Sequence, residues 1–159
     1  MKMKIQWKLL SILVAGAFVA AAGFAQNGPV LSPPETASAT VAGASITVKY
    51  SAPSVRGRKI FGPGGLVMKD PTAPIWRAGA NSATAFHTDA DLDVGGLAVP
   101  KGDYTLFVNV QDPDAWQLVI NKQTGQWGLT YDAGKDLGRV KMSMSKPASP
   151  IELLKYTIT

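Results

Sequence analysis

Apolar residues in this chain recur at every second position, a period that favours strands over helices. Ile46, Val48 and Tyr50 alternate with Thr47, Lys49 and Ser51, and Tyr104, Leu106, Val108 and Val110 alternate with Thr105, Phe107 and Asn109. Trp116, Leu118 and Ile120 repeat the pattern, as do Val140, Met142 and Met144. Each run reads as a strand with one packed face and one face turned to water or a second layer. Turn formers sit between the runs: Ala42-Gly43-Ala44, Gly95-Gly96, Pro100 to Asp103, and Asp112-Pro113-Asp114,. Beyond residue 25 no segment keeps a helical period for three turns. Short strands separated by such turns predict an all-β fold, an antiparallel β-sandwich forming one domain over residues 35–159.

The first 25 residues follow a different rule. Lys2, Lys4 and Lys8 precede an apolar run from Leu9 to Ala22, and Gly23-Phe24-Ala25 places small residues three and one positions before Gln26. That is the layout of a cleavable signal peptide. The run is also shorter than the ~20 residues that a helix needs to cross hydrocarbon. Residues 26–34 then read as a flexible leader, rich in Pro, Gly and Ser. The expected location is periplasmic or secreted, with no membrane span after cleavage. Three of the 16 cations leave with the peptide and none of the 11 acids does, so the remainder carries 13 against 11, a net +2. The basic pI is therefore partly an export feature, and no nucleic-acid-binding pattern accompanies it. With no cysteine, the chain has no thiol nucleophile, no Cys-ligated metal and no site for a lipoprotein anchor.

Two stretches depart from the strand pattern. Residues 55–74 are rich in Gly, Pro and cations and form the longest irregular connection, a length often tied to function. Residues 151–159 read as a strand that stops without an evident neighbour, which predicts an exposed edge and a protein that continues past Thr159.

Four ordered segments carry a resemblance. They are Tyr50-Ser51-Ala52-Pro53-Ser54-Val55-Arg56-Gly57-Arg58-Lys59-Ile60-Phe61-Gly62, Trp76-Arg77-Ala78-Gly79-Ala80-Asn81, Val99-Pro100-Lys101-Gly102-Asp103-Tyr104-Thr105-Leu106-Phe107, and Asn121-Lys122 through Gln126-Trp127-Gly128. Together they resemble the bacterial exported family named domain of unknown function 2911, over roughly Ser32 to Thr159. The resemblance implies an extracytoplasmic β domain and implies no activity. Two departures accompany it. The connection containing Pro63-Gly64-Gly65 and Lys69 to Pro74 is longer and richer in proline than the family pattern, and family members usually continue past this chain's Thr159.

The candidate ligand-binding residues are Arg56, Arg58, Lys59, Trp76, Arg77 and Asn81. Guanidinium forks grip carboxylate, sulfate or phosphate, and an indole stacks on a sugar or a cation. If extended, Arg56 and Arg58 point the same way. The structural alternative is that the arginines pair with carboxylates of the domain and Trp76 belongs to the core. A second cluster, His87, Asp89, Asp91 and Asp93, would share one face of a strand. It begins like a calcium loop but has Val94 and Pro100 where that loop needs Gly and Glu,, so no metal and no cofactor is expected. Ser143-Met144-Ser145-Lys146 matches Ser-x-x-Lys without its companion triplets, and no catalytic residues are assigned.

The functional expectation is a non-catalytic binding or structural module for an anionic glycan or other anionic envelope component. The alternative is an extracytoplasmic hydrolase acting on an acidic substrate, and a third reading is a domain that pairs through an exposed sheet edge. Partners are otherwise unknown. Expression in a bacterium with an envelope, followed by mass spectrometry of the extracytoplasmic fraction, is expected to find a mature protein beginning at Gln26. An intact Met1 terminus in that fraction overturns the signal-peptide reading.

Overall fold

The computed structural model describes residues 30–159; the expected signal peptide and the first part of the leader lie outside these residues. Nine strands follow in order: β1 (Pro34–Val41), β2 (Ala44–Ser51), β3 (Ile75–Trp76), β4 (Ala80–Thr88), β5 (Leu92–Val94), β6 (Leu97–Val99), β7 (Gly102–Asn109), β8 (Gln117–Asn121) and β9 (Asp136–Lys141). Among the described residues, helix is limited to two short 3-10 turns, Val67–Lys69 and Ala133–Lys135. No helix among the described residues is long and apolar enough to cross a membrane.

Every strand pairing is antiparallel. The main sheet has seven strands in the order β1-β2-β4-β7-β8-β9, with β3 joined to β7. Because β4 pairs with residues 102–106 of β7 and β3 with 108–109, β3 takes over the β7 edge where β4 departs. The remaining two strands form the β5–β6 hairpin, turned by Gly95 and Gly96 at φ 59° and 90°. Positive φ at both central residues gives the turn the twist that a two-residue hairpin requires.

Alternation decides the faces. Val48, Tyr50, Phe86, Tyr104, Leu106 and Ile120 are buried together on one face of the sheet. The hairpin side chains Leu92, Val94 and Leu97 cover them, with Leu154, Tyr156 and Ile158 from the C-terminal segment. On the other face Phe107, Val119 and Ile75 are buried beneath Tyr131. The loop carrying Tyr131 is tied down through Asp136, which accepts from Tyr131 Oη at 2.7 Å and from Asn121 Nδ2 at 2.8 Å. Burial, then the Asp136 carboxylate, pushes the Tyr131 phenol up to about 12, so it stays a donor at neutral pH.

Residues 151–159 keep the predicted alternation but do not join the sheet. They make a single bridge, Ser54 to Leu153, and then run over the core as a strap. The Tyr156 ring packs edge-on against Tyr50 at 4.7 Å, and its N–H donates to Tyr50 Oη at 3.2 Å. Tyr156 Oη in turn donates to the Ala78 carbonyl at 2.8 Å, and burial raises the pKa of this phenol. The apolar members of the alternation are thus spent on packing rather than on pairing.

Replacing Tyr156 tests the strap. Tyr156→Phe is expected to cost about 1 kcal/mol, the net worth of one hydrogen bond. Tyr156→Ala is expected to cost about 3 kcal/mol through the lost ring. Urea unfolding midpoints measure both, and an Ala variant as stable as the parent overturns the strap's role in the core.

Candidate functional site

Two of the motif segments meet at one corner of the sheet. The chain leaves β3 at Trp76 and turns through Arg77, Ala78 and Gly79 into β4. Ala78 and Asn81 adopt left-handed φ of 54° and 59°, which costs a non-glycine residue about 1–2 kcal/mol. Hydrogen bonds hold the corner in place against that strain. The Ala78 carbonyl accepts from Thr84 Oγ1 at 3.0 Å as well as from Tyr156, and Trp76 Nε1 donates to the Gly79 carbonyl at 3.2 Å.

Beside this corner lies a groove of about 490 Å³, a size that suits a small ligand. The 55–74 connection supplies Ile60, Phe61, Leu66 and Val67 to its lining, the corner supplies Trp76 and Arg77, and the strap supplies Ile151 to Leu154. Phe61 packs edge-on to Trp76 at 5.1 Å and tilts against Trp116 at 4.6 Å, so the aromatic part of the lining is rigid. Most of the lining is apolar, with Arg58, Lys69, Asp70, Arg77 and Glu152 as its charged members.

These charges are largely committed to one another or to backbone. Arg77 Nη2 lies 2.9 Å from Asp70 Oδ2, with the guanidinium side chain only 15% exposed. Glu152 Oε1 accepts from the Arg56 backbone N–H at 2.7 Å. Arg58 uses Nε and Nη2 to donate to the carbonyls of Val55 and Ser54, at 3.0 and 2.6 Å. Those two bonds occupy one edge of the guanidinium and fix its plane. Nη1 makes no hydrogen bond to protein among the described residues, leaving the outer edge for an anion.

The structure brings together only part of the predicted set. Arg58, Trp76 and Arg77 line the groove, while Arg56, Lys59 and Asn81 do not. Arg56 and Arg58 diverge, correcting the extended reading. Arg56 and Gly57 have φ of 50° and 66°, and Arg58 N–H donates to the Val55 carbonyl, so the segment is a tight turn. Arg56 Nη2 consequently reaches the Leu31 carbonyl at 2.6 Å. The Asn81 carbonyl accepts from Gly128 N–H at 3.0 Å. Trp76 and Arg77 combine both readings: each is held structurally, and each faces the groove.

The predicted acidic face is also corrected. β4 ends at Thr88, whose hydroxyl bonds the backbone of Ala90, and the chain bends before β5. Asp91 and Asp93 turn to the backbone N–H groups of Lys101 and Gly96. His87 lies between two carboxylates, with Nδ1 2.8 Å from Asp103 and Nε2 2.9 Å from Asp89. Since the two carboxylates engage opposite ring nitrogens, they cannot converge with His87 on one ion. No cluster among the described residues could hold a metal. His87 and Asp103 also line a second hollow of about 400 Å³ with Thr47, Lys49 and Thr124.

The four motif segments therefore fold into one continuous assembly, from the groove turn through the corner and β7 to the Gln126–Gly128 bridge. A model of the family described as "Protein of unknown function (DUF2911)" matches residues 32–159. The chain belongs to the DUF2911 family. No curated protein and no solved structure matches it.

Much of the DUF2911 motif set holds structure together. Gly128 packs so closely that a Cβ there would collide with Arg77 Cδ and the Asn81 carbonyl. Asn121 is fully buried and donates to the Asp132 carbonyl and to Asp136. The charged groove residues that the sequence did not single out are Asp70, Lys69 and, from the strap, Glu152. The length of the 55–74 connection was a signal for the first two, whereas nothing in the strap's pattern announces a groove.

His87 supplies a pH test. The Asp89 and then the Asp103 hydrogen bonds raise its pKa above the usual 6.5, while the His87 hydrogen bond, followed by the Ser45 N–H, lowers that of Asp89 below 3.8. A raised histidine contributes fully below its unfolded pKa and loses that contribution as pH rises through the folded value. A lowered aspartate contributes above its unfolded pKa and loses that as pH falls through the folded value. The clamp is therefore strongest between about pH 4 and 6.5. The gap in Tm between the parent and His87→Gln is expected to peak there and to narrow as pH rises through the raised His87 value,. A gap independent of pH overturns the charged clamp.

Proposed function

We propose that this protein is an exported, periplasmic or secreted binding module that holds an anionic envelope component in the groove, without catalysis. The β5–β6 hairpin and the strap, in this reading, make the second layer of a lopsided β-sandwich whose open corner is the binding site. The observation that carries the reading is Arg58. Its guanidinium lines a mostly apolar groove, is oriented by two backbone carbonyls, and keeps an outer edge that makes no hydrogen bond to protein among the described residues.

The surroundings narrow the ligand. Arg77 is neutralised by Asp70, and Glu152 adds a further negative charge to the lining. One anionic group fits Arg58, with Lys69 as its long-range support, and a polyanion does not. The apolar lining calls for a hydrocarbon or aromatic portion next to that anion. An amphiphile with a single anionic head group matches both demands.

A hydrolase finds less support. His87 is the one histidine of the chain, and both of its ring nitrogens are engaged by carboxylates. A general base needs a free lone pair within reach of the proton it removes.

Octyl phosphate, compared with inorganic phosphate and octyl glucoside in a thermal-shift assay, tests the proposal. At a hundred times its Kd the amphiphilic anion is expected to add about 2.7 kcal/mol, a rise of several degrees. Inorganic phosphate or the neutral detergent alone is expected to give much less. Arg58→Ala should abolish the shift while leaving the circular dichroism spectrum unchanged. A shift that survives in Arg58→Ala, or none with octyl phosphate, overturns the reading.

A further inference from the structure

The Gln126–Gly128 segment joins the start of β4 through an antiparallel bridge pairing Trp127 with Ser82. Two backbone bonds frame it: Ala83 N–H donates to the Gln126 carbonyl at 3.2 Å, and Gly128 N–H donates to the Asn81 carbonyl at 3.0 Å. Bonds placed on either side of the paired residues make Ser82 and Trp127 a non-hydrogen-bonded pair. In such a pair the two side chains lie on the same face, with their Cα atoms only about 4.5 Å apart. The Ser82 hydroxyl therefore stands beside the Trp127 indole.

The backbone under this indole is fixed on both sides. Beyond the two bridge bonds, the Trp127 carbonyl accepts from Thr130 N–H at 2.9 Å, and the packing of Gly128 against Arg77 and Asn81 leaves no slack. Yet Trp127 is 54% exposed, unlike Trp76 and Trp116, which pack against Phe61. Single exposed apolar residues are common. This one differs in its setting: Asn81 and Ser82 beside it are exposed, and their side chains and the indole N–H have no protein hydrogen-bond partner among the described residues. Arg77, packed against the adjoining Gly128, is mostly buried and paired with Asp70.

We infer that Trp127 and Ser82 form a platform for the face of a neutral sugar ring. The C–H face of a pyranose packs on a rigid indole, and its hydroxyls need a donor and acceptor such as the serine hydroxyl supplies. A protein partner would need a broader apolar patch, whereas the flanking exposed residues are polar. A nucleotide would need a cation for its phosphate, and the adjacent guanidinium is already paired. The platform lies outside the groove lining and stands independently of the function proposed for it.

Titration of the ¹⁵N-labelled protein with chitotetraose and with cellotetraose, followed at the indole N–H resonances, tests the inference. The Trp127 signal is expected to shift saturably with at least one of the two. Trp127→Ala, an exposed substitution that should leave the fold intact, is expected to weaken binding about tenfold or more, a loss of about 1.4 kcal/mol. Trp127→Phe should retain part of it, Ser82→Ala should weaken it, and Arg58→Ala should leave it unchanged. No saturable shift with either sugar up to about 10 mM, a range that reaches weak millimolar sites, overturns the platform. So does equal binding in Trp127→Ala, or a self-association that depends on Trp127 and ignores sugar.

Discussion

Strand β7 is hydrogen-bonded along both edges and covered on both faces, and the rest of the domain is arranged around that condition. Tyr104, Leu106 and Val108 point to one side, Thr105 and Phe107 to the other, and all five are buried. A strand in this position needs two covering layers, and a chain of this length has no second large sheet to spare. Smaller pieces do the covering: the β5–β6 hairpin and the strap on one face, and the loop anchored by Tyr131 and Asp136 on the other. The division of the β7 edge between β4 and β3 then creates the corner at Ala78. The groove opens beside that corner.

The elements that could be read in advance were those whose side chains alternate strongly, because half-burial writes itself into the sequence with period two. β2, β7 and β8 are of this kind, β9 only in part, since it ends at Lys141 and leaves Met142 beyond the strand and Met144 exposed, and the Gly95-Gly96 turn announced the β5–β6 hairpin. β1 is an edge strand with a largely exposed sequence, so only the turn after it marked its place. β4 was the harder case, since Ala80 to Ala85 are small residues whose burial comes from their neighbours. Its end was misplaced because the Thr88 hydroxyl bonds the backbone of Ala90, a local preference that overrode the apparent alternation towards Val94, while Asp89 accepts from the Ser45 N–H of β2.

The candidate site was legible in one dimension only. Cations concentrated in the irregular connection identified Arg58, but Glu152, which shares the groove lining with it, lies in a segment whose pattern resembles any strand. Pairing of the arginines with carboxylates was one sequence reading, but which carboxylate meets Arg77 was not legible, because Asp70, seven positions earlier, gave no sign of folding back onto it. The side chains flagged as a single cationic patch are separated by a tight turn that reverses one of them. Charge composition can suggest what a surface attracts, but the sum of local pairings decides what remains available.

The strap has a temporal consequence. Tyr156 closes on Tyr50 across 106 positions of chain, and the groove wall at Glu152 to Leu154 is equally remote from the turn it faces. At a synthesis rate of about 5–20 residues per second, the first half of this contact waits roughly 5–20 s for the second. Contacts of such high sequence separation also form late, because loop closure precedes their reward. A nascent chain can thus pair β1 with β2 and still lack the groove. The proposed ligand capture would be confined to molecules whose residues through the strap have emerged and docked.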